Sequence, residues 1–402
     1  MRRALLIILL VVLGLLSTSV WRLVSNHKIV KPASQESEIQ AVDNGLSPSL
    51  SDSELDTFDQ EDFQLQQVLA AKVINDINQG ISTDSFNTGH ARYDGEWALG
   101  SYQMAALGLG QFIQAYPEFR DEYLPVIQRC AERITSEEIN AFGTAAWGEE
   151  GINSLSSENG HAYLGYVNLA LSMLRLHEKE NNFAELNDQL TETLIRRLQS
   201  SNQSIVETYP NEAYPADLAA VIAAIGLHGQ AIGLNDQDFL AELTFQFEKN
   251  FVDPQTGLVF QAVDSASGNP IDQPRASGTA LSAYFMSFVN AELSEKLFLS
   301  VTTHQKVQVS GFTGIREYPE GQAGTGDIDS GTLVSGVSPS ATAFTIGGAR
   351  LFGERELSQA LYQTINFFGT SPLGEMNGIS LLESPLGNAT LLAMLTAHHI
   401  DS

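Results

Sequence analysis

Leu218-Ala-Ala-Val-Ile-Ala-Ala-Ile-Gly226 is small and apolar on every side of a helical projection. A helix with no polar face is buried all round. Ala98-Leu-Gly-Ser-Tyr-Gln-Met-Ala-Ala-Leu-Gly-Leu-Gly110 and Ser338-Pro-Ser-Ala-Thr-Ala-Phe-Thr-Ile-Gly-Gly348 share this character, and their small residues allow close helix approach. A second kind of helix lies between them. Asn182-Phe-Ala-Glu-Leu-Asn-Asp-Gln-Leu-Thr-Glu-Thr-Leu-Ile-Arg-Arg-Leu198 places charged residues on one face and apolar residues on the other. Buried and wetted helices in alternation describe an inner ring of helices inside an outer one.

The periodicity predicts helices over 64–78, 97–115, 120–136, 160–178, 183–199, 213–230, 236–250, 276–290, 291–303, 338–352, 355–367 and 386–399. That is about six hairpins, so the fold class is all-α. Strand-like stretches are short: Gly257-Leu-Val-Phe-Gln261 and Gly378-Ile-Ser-Leu-Leu382. Links after the small helices are short, as in Tyr116-Pro-Glu-Phe119. Links before them are often long: 137–159, 200–212, 251–275, 304–337 and 368–385. The long links therefore gather on one face, at the N-terminal ends of the inner helices. Long ordered loops on a rigid scaffold are where function concentrates.

The chain opens Met1-Arg2-Arg3, followed by an apolar run from Ala4 to Trp21. That run is close to the roughly 20 residues a membrane-spanning helix needs. Arg2 and Arg3 favour a cytoplasmic N-terminus, with the rest exported. Residues 1–24 are read as an anchor or signal segment. An uncleaved anchor is favoured, although Ser17-Thr18-Ser19 offers the small residues of a cleavage site. Residues 25–62 read as an acidic, disordered linker, and 63–402 as the helical domain.

Among 402 residues, 43% are hydrophobic, enough for a large core. Twenty-one Lys and Arg face 48 Asp and Glu, a formal net charge of -27. Such a surface repels nucleic acid, and it suits carboxylate chemistry on neutral or cationic ligands. The single cysteine, Cys130, forms no internal disulfide and reads as a small apolar helix residue.

Helix number and loop asymmetry together resemble the (α/α)6 toroid of six-hairpin glycosidases and related lyases, epimerases and terpenoid dehydratases. The resemblance covers roughly residues 64–400, and Glu207–Asp217 and Gly326–Ser330 look like pieces of such sites. It speaks to fold more than to activity. The cysteine chemistry of the linalool dehydratase-isomerase branch has no counterpart here, because Cys130 falls in an outer helix.

Each long link carries candidates. Arg92-Tyr-Asp-Gly-Glu-Trp97 offers Tyr93, Asp94, Glu96 and Trp97, as helix cap or as a sugar-stacking ring beside an acid. Trp147-Gly-Glu-Glu-Gly-Ile-Asn153 and Glu158-Asn-Gly-His-Ala-Tyr163 offer Trp147, Glu158, His161 and Tyr163, with His161 a proton carrier or a structural histidine. Glu207-Thr-Tyr-Pro-Asn-Glu-Ala-Tyr-Pro-Ala-Asp217 offers Tyr209, Tyr214 and Asp217. Arg275 stands at an inner-helix start, where the dipole disfavours a cation, and so asks for an anionic partner. The glycine-rich stretch from Gly311 to Gly331 carries Arg316, Tyr318, Asp327 and Asp329. Its Asp-x-Asp-Ser-Gly lacks the spaced ligands of a calcium-binding loop.

Glycoside hydrolysis needs a protonated and an ionised carboxyl across one bond. Glu96, Glu158, Asp217, Asp327 and Asp329 are the candidates, with Glu96 or Glu158 as acid and Asp329 as base. The expected ligand is a poly- or oligosaccharide. A lyase or epimerase would instead use His161, a tyrosine and Arg275, and a glycan-binding accessory protein would keep the aromatic rings without turnover. No phosphate loop, dinucleotide fingerprint, nucleophile elbow or HExxH is present, so neither cofactor nor metal is expected.

Overall fold

The computed structural model describes residues 52–400 apart from 202, 235, 370–374, 377–378 and 381–383. The apolar N-terminal run, most of the predicted linker and most of the link at 368–385 lie outside the described residues. Two units divide the chain, Met1–Leu55 and Asp56–Ser402. Of the first, only the opening of a helix is described. The second carries everything below.

Six inner helices close a ring: α2 (Ala91–Ala115), α5 (Leu164–His177), α7 (Pro215–Ile232), α9 (Ala276–Met286), α11 (Pro339–Leu351) and α13 (Pro385–Leu395). Each packs on the next, and α13 packs back on α2. The outer helices are α1 (Asp52–Gln79), α3 (Arg120–Ile134), α6 (Ala184–Ser200), α8 (Gln237–Phe251), α10 (Ala291–His304) and α12 (Arg355–Gly369). The fold is an (α/α)6 toroid.

Each of the twelve helices predicted between residues 64 and 399 is found. The inner set is what the sequence pattern requires. On α7, Leu218 through Gly229 are buried without a break. That helix is long and apolar enough to cross a membrane, yet it is covered by its ring neighbours. Prolines in the first turn and Ser caps start the later inner helices. Ser338 accepts from the Ala341 amide at 3.0 Å ahead of α11, and Ser384 from Gly387 at 3.0 Å ahead of α13. A proline there forfeits no helical hydrogen bond.

Small residues set the ring's diameter. A Cβ on Gly165 would lie 2.8 Å from the Val221 backbone nitrogen, so α5 and α7 touch through that glycine. Backbone cannot move aside as a side chain can. Gly165→Ala is expected to lose about 1–3 kcal/mol of stability in a urea unfolding titration.

Three departures from the sequence reading have local causes. First, α1 begins at Asp52, inside the predicted linker. Its acidic residues find distant partners: Asp62 pairs with Arg350 at 2.7 Å and Asp59 with Arg355 at 2.9 Å. Second, an extra helix, α4 (Glu137–Trp147), lies in the first long link. Ser136 caps it, left-handed Gly148 ends it, and it packs against α2. Third, β1 (Lys306–Val309) and β2 (Phe312–Ile315) form a hairpin about Ser310-Gly311, both at positive φ. The stretch 257–261 makes isolated bridges at Val259 and Phe260 instead of a ladder. Ile379–Ser380 pairs with Glu375–Met376.

Candidate active site

All six inner helices send residues from their N-terminal halves into one cleft of about 340 Å³. Loop asymmetry predicts this end of the ring. The polar wall comes from α2, α5, α7 and the loop before α7. Glu96 stands on the second turn of α2, with Tyr93 and Trp97 beside it in the cleft. The Tyr209 hydroxyl donates to Glu96 Oε1. Burial, offset in part by that hydrogen bond and reinforced by Asp217 and Asp329, pushes the Glu96 carboxyl up to about 7.

Asp217 lies in the first turn of α7. It accepts from Tyr166 Oη and Thr208 Oγ1, each at 2.6 Å. Burial nevertheless raises its pKa above the ordinary value, because both donors are neutral. Asp329 hangs from the loop before α11 and accepts from Gln261 Nε2 at 2.8 Å. It keeps solvent contact through the cleft. The surrounding protein, and then the charges of Asp327 and Asp217, push it up to about 7.

At the mouth, the Arg92 guanidinium lies 4.2 Å from the Tyr209 ring centroid and 3.3 Å from Glu212. Tyr214 donates to the same Glu212 at 2.9 Å. Behind the cleft, Ser277 donates to the buried Glu317 at 2.5 Å, and burial raises that carboxyl's pKa.

Of the sequence candidates, Glu96, Asp217, Asp329, Tyr93, Trp97, Tyr163, Tyr209 and Tyr214 line the cleft together. The others do not line it. Glu158 is exposed on the loop before α5, outside the cleft. Asp327 is spent on its own loop. It pairs with Arg275, and its Oδ1 accepts from the Ser330 amide and hydroxyl at 3.0 Å each. Its pKa is accordingly held below the usual range, against the opposing pull of burial. Its Oδ1 also accepts from the Asp329 amide at 3.2 Å. Arg275 finds its expected anions in Asp327 and Asp272, both from the protein. Tyr318 lies 5.5 Å from the Arg275 guanidinium and donates to the Thr325 carbonyl at 3.1 Å.

Asp94 accepts from the Thr88 amide at 2.9 Å and hydroxyl at 2.8 Å, tying the segment ahead of α2 to its first turn, while the helix cap is His90. Arg316 pairs loosely with Glu320 at 3.8 Å, outside the cleft. His161 is buried at φ 60, stacked on Trp147 with centroids 4.4 Å apart. Burial, then Arg197, lower its pKa to about 4, so it is neutral at pH 7. Trp147 donates from Nε1 to the Thr208 carbonyl at 3.0 Å and braces the loop that carries Tyr209. The lyase constellation of His161 and Arg275 is therefore not assembled around the cleft.

Arg92 and Glu212, which belong to the candidate stretches, and Tyr166, just beyond one of them, also line the cleft, and Gln103 and Gln261 line it without a role expected from the sequence. Tyr166 follows Tyr163 at helical spacing, so period alone points to it.

No family model matches the chain, and no curated protein matches it. Several solved structures are similar to it in fold. One, from Salmonella enterica serovar Paratyphi A, is described as a possible member of the GH105 family. It is 13% identical, covers 74% of this chain and 82% of its own, and has a TM-score of 0.47. An inactive α-1,6-mannanase variant from Salegentibacter sp., solved with α-1,6-mannotetrose, is 14% identical over 73% and 88%, at 0.46. An unsaturated glucuronyl hydrolase from Bacillus sp. GL1 is 15% identical over 74% and 96%, at 0.41. The likeness is one of fold.

Proposed function

We propose that this protein hydrolyses glycosidic bonds in its toroid cleft, outside the cytoplasm and held at the membrane by its N-terminal apolar segment. One observation carries the catalytic reading. Two cleft carboxyls from different elements, Glu96 and Asp329, are both pushed up to about 7 among five tyrosines and a tryptophan. At neutral pH one can hold a proton while the other is ionised.

Glu96 is the acid, because Tyr209 holds it and burial favours its neutral form. It gives its proton to the glycosidic oxygen as the bond from that oxygen to the anomeric carbon breaks. Asp329, open to solvent, takes a proton from the water that attacks the anomeric carbon. The Tyr93, Trp97 and Tyr214 rings offer flat faces to sugar rings. The anchor rests on the apolar run between Ala4 and Trp21 and the arginines before it.

Purified protein incubated with a panel of bacterial and plant glycans should yield fragments carrying one added water, read by mass spectrometry. Unsaturated fragments would make it a lyase, and no product from any glycan would leave a binding role. The rate should follow a bell in pH with its maximum near 7. It falls below 7 as Asp329 takes up a proton and above 7 as Glu96 loses one. A flat profile from pH 5 to 9 would exclude this pair.

A further inference from the structure

The cleft has two chemically different halves. Along α2 the cleft-facing residues run Tyr93, Glu96, Trp97, Gly100, Gln103 and Met104, one stripe at helical spacing. Gln103 lies seven residues beyond Glu96, about 10 Å further along the helix axis. Past Glu96 the wall turns apolar. Met104, Leu281, Ala343, Phe344, Leu386 and Leu391 line it, contributed by α2, α9, α11 and α13, which adjoin one another around the ring. Thr390 and Ser340 are polar lining groups on that side. The carboxylates and tyrosines belong to α2, α5, α7 and the loops before α7 and α11.

Gln103 marks the inner half as a binding surface. Its side chain is fully buried, yet neither its Oε1 nor its Nε2 has a hydrogen-bond partner among the described residues. A buried amide left unpaired costs free energy, so a position of this kind is retained where something else completes it. Sugar hydroxyls could pair with Gln103 but would strip their remaining hydrogen bonds against Met104, Phe344 and Leu391. An apolar group carrying one hydrogen-bonding function satisfies both the wall and the amide.

We infer that the inner half of the cleft holds an apolar aglycone, an alkyl or aryl group attached to the sugar, with Gln103 bonded to its one polar function. The substrate class is then an amphipathic glycoside. Its sugar lies among the tyrosines and its aglycone leaves toward Met104 and Leu391. This rests on the glycosidase reading for the bond that is broken, but binding alone tests it.

The full chain is titrated with methyl and hexyl glucosides and galactosides, read by tryptophan fluorescence and calorimetry. Hexyl glycosides should bind at least about tenfold tighter than their methyl counterparts, since five more methylenes leave water. Ala343→Phe, which fills the recess, should remove most of that advantage. Met104→Gln serves in its place if Ala343→Phe does not fold. Equal affinity for both chain lengths, no detectable binding of either, or an advantage that survives in the folded variant overturns the assignment. None of these outcomes involves turnover, so the hydrolase reading stands or falls separately on the product assay.

Discussion

Glu96→Gln lowers kcat by roughly 10²–10⁴-fold on a glycan the wild type cleaves, with far less change in KM. The substitution keeps the volume and still accepts a hydrogen bond from Tyr209, but it has no proton to give. Glu158→Gln, on the exposed loop outside the cleft, leaves kcat where it was. The two variants separate the acids that sequence alone left open. Equal losses in both, or full turnover in Glu96→Gln, would remove Glu96 from the mechanism. A second measurement on the same protein checks the cause. Below the ordinary value of 4.5 the Glu96 carboxyl holds its proton in folded and unfolded chains alike. As pH rises to about 7 the unfolded chain ionises first, so the folded state loses stability through this window. Above it the deficit is constant. Glu96→Gln therefore raises Tm relative to wild type at pH 8 and not at pH 4.

The pair of effects expresses one physical fact. A carboxyl buried against its own ionisation is a liability to the fold and an asset to acid catalysis. Asp217 shows how narrowly the asset is placed. It too is raised by burial, but Tyr166 and Thr208 each spend a hydrogen bond on one of its oxygens. We assign it the role of holding the charge balance of the cleft, through which it raises both Glu96 and Asp329.

The toroid is legible in the sequence because ring position dictates composition. An inner helix such as α7 touches protein on every side and can afford no polar face, while α6 must have one. The cleft end is legible from loop length. Tyr209 and Asp217 follow from that, since they stand before or in the first turn of α7, whereas Glu96 and Trp97 lie in the second turn of α2, which begins at Ala91 and not at the predicted 97. Residues whose role turns on direction are not legible. Asp327 and Asp329 are two positions apart in the same glycine-rich loop, yet Asp327 turns back to Arg275 and Ser330 while Asp329 enters the cleft. No composition or spacing separates them. Gln103 is hidden for the opposite reason. On a helix buried all round, the face toward the ring's centre has the same small, apolar surroundings as the faces toward its neighbours. His161 misleads because a histidine at a helix start suits either chemistry or packing, and here its stacking on Trp147 decides for packing.

That packing has its own keystone, and removing it is the largest stability loss we expect. Arg197 on the outer helix α6 is almost fully buried. Burial, with Arg196 nearby, lowers its pKa to about 10, so it stays charged at neutral pH. It donates to the carbonyls of Ser154 at 2.9 Å, Gly160 at 3.0 Å and Ser157 at 3.3 Å, gathering the loop before α5 around one guanidinium. The same loop donates from the Ala162 amide to the Glu207 carbonyl at 2.9 Å, which ties it to the segment bearing Thr208 and Tyr209. Arg197→Ala leaves three carbonyls without their donor and should cost roughly 3–5 kcal/mol in urea unfolding. Arg197→Lys recovers only part, because a single ammonium on a flexible stem does not reproduce the planar spread of donors. Catalysis should suffer as well, since a loosened Tyr209 no longer holds Glu96. A cost under about 1 kcal/mol, the ordinary size for a surface change, would show that the loop is held by its turns and by the Trp147–His161 stack instead.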